Sequence, residues 1–351
     1  MSNEDFNFPK VELHLHLDGA IRHSTLLELA NAKGISLGGA RTLEEVKRVI
    51  CTHQPANLSK VLAAFDLFLP CIRVAYELCE DQARNNVIYF EARYSPHLLS
   101  NMTEHLAWTK EQLFRASGPI NSTQVVEAVH RGLTRGSADF GVKCNQILCC
   151  IQGYEQYNEE VLELAIKFKN HGVVAVDVAG CAHGADEKYD ATEAASHGIC
   201  RTVHAGESAG PTSVVRAIED MHTMRIGHGY HLLMDEAAYA KYALPGVIHF
   251  EGCPYSSIMT GSCTTDWTQH PLKRWAKDKI SFSISTDDPT CFDNSMTSEL
   301  KLAALEIGLT IEEIKQCQIN AAKAAFISEE EKVELLQKLQ NAFGGQSCLL
   351  F

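Results

Sequence analysis

Eight short apolar runs recur along the chain, each followed by a longer segment with helical spacing. The runs cover residues 11–17, 87–94, 142–151, 173–179, 200–204, 225–228, 247–250 and 281–285. They are rich in Val, Ile and Phe, and most lack the strict polar alternation of a one-sided sheet. Strands buried on both faces read this way, as parallel strands do. Between them lie amphipathic stretches. In 158–169, Val161, Leu164, Ala165 and Phe168 share one face, with Glu and Lys opposite. Residues 213–222, 236–242 and 312–326 behave alike, and 329–343 reads as a final helix with Val333, Leu336 and Leu339 on one face. The region between the first two runs is long enough for extra helices. Eight strands alternating with helices predict an α/β protein, a (β/α)8 TIM barrel with additional helices. No Gly/Ser-rich linker, low-complexity tract or charge block divides the 351 residues, so one domain over 1–351 is expected.

Bulk properties narrow the partners. The formal net charge is −13 with no long Lys/Arg run, which excludes a nucleic-acid grip that must neutralise phosphates. A small neutral substrate fits this balance better than a highly charged one. No apolar run reaches the length of a membrane span. The first residues are polar and acidic, unlike a secretory leader. The thirteen cysteines are scattered, without paired CxxC motifs, and several sit in apolar runs, including the vicinal Cys149–Cys150 pair. This usage predicts reduced, packed thiols and a cytoplasmic protein.

The informative residues stand where the runs stop. The first ends His14-Leu15-His16-Leu17-Asp18-Gly19, the fifth His204-Ala205-Gly206-Glu207, the sixth Gly227-His228-Gly229 and the eighth Ser285-Thr286-Asp287-Asp288-Pro289. Residues two apart on a strand face the same side, so His14 and His16 can aim both imidazoles into one space. A barrel gathers the ends of its strands at the C-terminal mouth, where such enzymes keep their active sites. A single histidine among the sixteen, such as His97 or His183, reads more simply as a polar core or loop residue. Four polar strand ends in one barrel are another matter. Three histidines and a carboxylate make an N/O donor set that suits zinc and leaves a position for water. Zinc lowers the pKa of its water to about 7, the basis of metal-assisted hydrolysis. Glu207 and His228 are then available to move protons.

These motifs resemble those of the adenosine deaminase family. The likeness rests on residues 11–19, 202–207, 225–231 and 285–289, together with Glu-Ala-Arg-Tyr-Ser-Pro-His-Leu-Leu at 91–99 and Ile-Asn-Ala-Ala-Lys at 319–323. It runs from about residue 9 to 334 with order and spacing kept. The resemblance implies that His14, His16, His204 and Asp287 bind one Zn2+ per chain, with His16 also beside the substrate. Glu207 would protonate N1 of the purine as hydroxide attacks C6. His228 would orient the attacking water, and Asp287 would share its proton. Asp288 and the backbone N–H of Gly180 would hydrogen-bond N7 and N3, and Asp18 would hold the ribose 5′-hydroxyl. The chemistry agrees: attack at C6 sends electrons toward N1, so a protonated carboxyl there favours the transition state over the flat substrate. The resemblance also implies that Leu58, Leu62, Phe65 and Trp108 cover the purine, although the spacing of Leu58, Val61, Leu62 and Phe65 fits plain helix packing equally well. The vertebrate-type pattern carries an aromatic where this chain has Val61, and the segment after Leu69 is short.

The expected reaction is therefore hydrolysis of adenosine and 2′-deoxyadenosine to the inosines and ammonia, in purine salvage, by a monomer. Two rival activities belong to the same superfamily. An N6-methyl-AMP deaminase must accept a 5′-phosphate, which the Asp18 carboxylate would repel; that relative tends to carry Asn there. An adenine deaminase would have no use for a ribose contact. A silent nucleoside binder is a further alternative, against which the complete ligand set and Glu207 stand. The HxE…PCxxC signature of cytidine-type zinc deaminases is absent.

Overall fold

A computed structural model describes residues 4–34, 36–52, 54, 71–101, 119–180 and 193–344. Its centre is one eight-stranded sheet in the order β1 to β8. The strands are β1 (Lys10–His16), β2 (Val87–Tyr94), β3 (Lys143–Ile151), β4 (Val173–Ala179), β5 (Cys200–Ala205), β6 (Arg225–His228), β7 (His249–Gly252) and β8 (Phe282–Ile284). Every neighbouring pair is parallel. Just beyond β8, Asp287 forms a parallel bridge with Leu15. The His16 N–H donates to Asp287 O at 2.9 Å, and the Asp287 N–H donates to His14 O at 3.1 Å. The sheet thus returns to its first strand, and the expected TIM barrel is what forms.

The strands meet two environments. Val11 and Leu13 pack with Tyr89 and with Ala321, Ala322, Leu335 and Leu339 of the last two helices, Ile311–Ala324 and Glu329–Ala342. Glu12 faces the surrounding helices, where it accepts from Gln82 of the helix Cys71–Arg84 at 2.6 Å, and a register shift between Glu12 and Leu15 turns His14 and His16 to the barrel interior. That interior is ionic rather than aliphatic. Arg225 pairs with Glu91 at 2.6 Å and with Glu251 at 2.7 Å, and Arg93 pairs with Glu251 at 2.7 Å and with Asp177 at 3.0 Å. All five side chains are shielded from water. Buried charges persist in this way when each is paired.

The helix expected at 158–169 runs Asn158–Lys167, with Val161, Leu164, Ala165 and Phe168 buried as its spacing requires. Two readings need correction. β7 starts two residues later than expected, because Val247 stands exposed after a turn at Gly246, and Glu251 belongs to the strand since Arg93 and Arg225 neutralise it. In the last helix Leu335 and Leu339 carry the buried face, while Val333 points to solvent. The ten cysteines with described side chains are all free thiols, and Cys149 and Cys150 are buried.

Candidate active site

The C-terminal ends of β1, β5, β6 and β8 deliver their polar residues to one point. The ligand atoms of His14, His204, His228 and Asp287 lie within 4.8 Å of one another, and those of His16, Asp287 and Asp288 do likewise. Nε2 of His16 sits 3.1 Å from Nε2 of His204 and 3.3 Å from Oδ1 of Asp287. Nε2 of His14 is 3.2 Å from the same oxygen. The four expected metal ligands therefore share one space, and His228 joins them.

Two of the imidazoles are oriented from behind. The Nδ1–H of His14 donates to Glu251 at 2.7 Å, and that of His204 faces Asp177 at 3.0 Å. Protons held at Nδ1 leave the Nε2 lone pairs directed at the common space. Nε2 of His14 is buried there with no hydrogen-bond partner. An orphaned acceptor among imidazoles and a carboxylate is what a divalent ion of borderline softness would satisfy, so the residues fit a metal. Asp287 receives the Ser256 Oγ–H at 2.7 Å on Oδ2, which leaves Oδ1 toward the histidines. Burial keeps His16 and His228 well below the ordinary imidazole range, which favours neutral rings. Burial works against ionised Asp287, yet the adjoining His14 ring holds it well below the usual carboxylate range.

The backbone is bent to make this site. His228 and Asp287 have φ of 65° and 66°, left-handed values that non-glycine residues adopt at a cost of about 1–3 kcal/mol. Such strain collects where side chains must be aimed; His228 ends β6 and Asp287 stands just beyond β8, both at the mouth.

Around this centre lie the remaining expected residues. Glu207 is buried beyond β5, with Oε2 3.5 Å from Nε2 of His228. Gly180 follows β4 with φ of 74°, a turn that suits a residue without Cβ and leaves its N–H at the mouth. Asp18 and Asp288 are both buried and each keeps one oxygen without a partner. Burial pushes Asp18 up to about 7. Burial, then the charges of Asp287, Asp18 and Glu207, raise Asp288 well above the carboxylate range. A Cβ on Gly19 would come within 1.9 Å of Asp288 Oδ1, so glycine there makes room for that carboxyl. Leu58, Val61, Leu62, Phe65 and Trp108 lie outside the described residues.

The supporting carboxylates and cations were missed in the sequence. Asp177, Glu251 and Arg225 each appear as one charged residue in or beside an apolar run, and Arg93 shares its run with Glu91. The available signal was parity: each occupies an inward position of its strand.

A family model described as adenosine deaminase matches residues 9–342. The chain belongs to the adenosine deaminase family. The adenosine deaminase of Danio rerio is 43% identical over 361 residues, covering 99% of this chain and 98% of that protein. Among solved structures, the arabidopsis N6-mAMP deaminase is 26% identical with a TM-score of 0.77, covering 97% of this chain and 100% of that one. An amidohydrolase from Burkholderia ambifaria with bound Zn shares the fold at 23% identity and a TM-score of 0.76, over 97% of this chain and 92% of that one. Family membership and the donor set together imply a metal cofactor. Among the described residues, no helix is long and apolar enough to cross a membrane.

Proposed function

We infer that this chain is a hydrolase that deaminates adenosine and 2′-deoxyadenosine to the corresponding inosines and ammonia. One observation carries the reading: four strand ends bring a metal-binding donor set and an acid to one mouth, in a chain 43% identical to an adenosine deaminase over nearly its full length. The alternatives are weaker. Identity to the N6-mAMP deaminase is 26%, and the buried Asp18 carboxyl leaves poor accommodation for a 5′-phosphate.

The residue roles follow from the chemistry. His14, His16, His204 and Asp287 would hold one zinc ion per chain. When bound, such an ion supplies a water acidified to about pKa 7. Hydrolysis makes C6 tetrahedral and drives electron density to N1. Glu207 delivers a proton to N1, an interaction strongest as the ring loses its aromatic bond. His228, 3.5 Å from Glu207 and 3.9 Å from Asp287, holds the attacking water and stabilises its charge, and Asp287 accepts the water's proton. N7 of a purine is an acceptor, so its partner must donate; the raised Asp288 carboxyl can do so in its protonated form. The Gly180 N–H meets N3, and Asp18 takes the ribose 5′-hydroxyl. His16 lies at the substrate edge; an apolar cover by Leu58, Leu62, Phe65 and Trp108 is what the family resemblance implies, and these residues lie outside the described ones. We place the enzyme in cytoplasmic purine salvage as a monomer; of these, only the compartment has support, from the free described thiols, which fit a reducing environment.

Ammonia release from adenosine, N6-methyl-AMP and adenine tests the substrate. Adenosine is expected to turn over fastest; faster release from either rival would overturn the assignment.

A further inference from the structure

His231 ends the sixth-strand motif and stands three residues beyond β6, half-buried, in the short helical turn Tyr230–Met234. Its ring spans two loops. Nδ1 lies 2.7 Å from the carbonyl oxygen of Ala209, and Nε2 lies 2.9 Å from that of Ser262. Its backbone N–H donates to Gly206 O at 3.0 Å. Carbonyl oxygens only accept, so the ring must donate at each contact. A ring with one proton satisfies one of them, and a ring with two satisfies both.

Gly206 and Ala209 bracket Glu207. The same loop is held on its other side by Ser213, whose Oγ accepts the Gly206 N–H at 2.9 Å and donates to Gly210 O at 2.8 Å. Ser208 and Gly210 are exposed to solvent. The direction in which the Glu207 carboxyl enters the mouth is therefore set by a surface loop, and His231 grips that loop next to the acid. Ser262, on the segment after the helix Pro254–Met259, gives the ring its second anchor.

We propose that His231 is a positioning residue for the proton donor: by tying Ala209 to Ser262 it fixes the 206–210 loop so that Glu207 meets N1 of the bound purine. The inference rests on Glu207 being that donor. Misplacement of a reacting group by 1 Å costs about 100-fold in rate, so a modest loop shift has a large readout.

The test compares His231→Ala, His231→Asn and His231→Gln. An asparagine amide nitrogen sits near the Nδ1 position and keeps the bond to Ala209; the longer glutamine reaches the Nε2 position and keeps the bond to Ser262. The alanine variant is expected to lose about 10- to 100-fold in kcat with KM for adenosine nearly unchanged, and asparagine is expected to restore more of kcat than glutamine. Binding of 1-deazaadenosine, which has carbon in place of N1, is expected to stay within about twofold in all three, since it cannot use the Glu207 proton. Normal kcat in the alanine variant, glutamine matching asparagine, or 1-deazaadenosine affinity falling in step with kcat would overturn the proposal. Glu207→Gln, measured alongside, separates the two readings. If it is inactive while the His231 variants are normal, only the role of His231 fails; if it is active, the assignment of Glu207 fails.

Discussion

The Nδ1–H of His14 donates to Glu251 at 2.7 Å, with both side chains fully shielded from water. Glu251 is in turn held by Arg93 and Arg225 at 2.7 Å each and accepts the Thr202 Oγ1–H at 3.0 Å. Arg93 also pairs with Asp177, which faces His204. One guanidinium thus steadies the carboxylates behind two of the metal-facing imidazoles. Outer partners of this kind fix the tautomer and raise the basicity of the ligand nitrogen.

Glu251→Gln is expected to weaken metal binding about 10- to 100-fold, because the neutral amide no longer favours the proton at Nδ1 of His14. Zinc titration of the apo-protein against a competing chelator measures this. Unchanged affinity would show that His14 needs no such support.

Glu207→Gln is expected to keep its metal and lose about 100- to 10,000-fold in kcat, the range for removal of a general acid. Metal analysis and steady-state kinetics on the same preparation check both halves. A near-normal rate would remove Glu207 from the reaction.

Asp18→Asn is expected to lower kcat/KM for adenosine by about tenfold, near the value of one hydrogen bond in a buried pocket. The same change removes a carboxylate that would face a 5′-phosphate. The ratio of N6-methyl-AMP to adenosine turnover should therefore rise; a fixed ratio would place Asp18 away from the 5′ position.

Two buried histidines outside the metal-facing cluster should contribute to acid sensitivity. Burial holds His270 at about 3, with Nδ1 accepting the Leu272 N–H at 3.2 Å. Burial, then the charge of Arg225, holds His249 at about 3, between the hydroxyls of Ser281 and Ser283. Both folded values lie below the ordinary value of 6.5, so between about 3 and 6.5 the unfolded chain binds more protons. Their contribution to stability is complete above 6.5 and is lost as pH falls toward 3, at up to about 1.4 kcal/mol per pH unit for each ring. Denaturant unfolding between pH 7.5 and 4 should show a shallower slope for His270→Asn than for the unaltered chain. Parallel slopes would contradict this.

The barrel was legible because parallel strands buried on both faces leave short runs rich in Val, Ile and Phe, and the site because four of these runs stop at polar residues. HxH, HAGE, GHG and TDDP could be placed at one mouth once eight strands were counted. The layer behind them was not legible. His14 and Glu251 are 237 residues apart, and Arg93 and Glu251 are 158 apart. A linear pattern shows that a charge sits in a strand, but not which opposite charge the closed barrel brings to it. Val333 misled for a related reason: on a short terminal helix, one residue of rotation decides whether Val333 or Leu335 meets the barrel, and β1 chose Leu335.

The central claim is that His14, His16, His204 and Asp287 share one zinc ion. Anomalous diffraction at the zinc edge, on crystals of the purified enzyme, tests it most directly. The account predicts one peak per chain, about 2.0–2.2 Å from three imidazole nitrogens and an Asp287 oxygen. A peak ligated elsewhere, or full deaminase activity in crystals with no peak at this position, would contradict it.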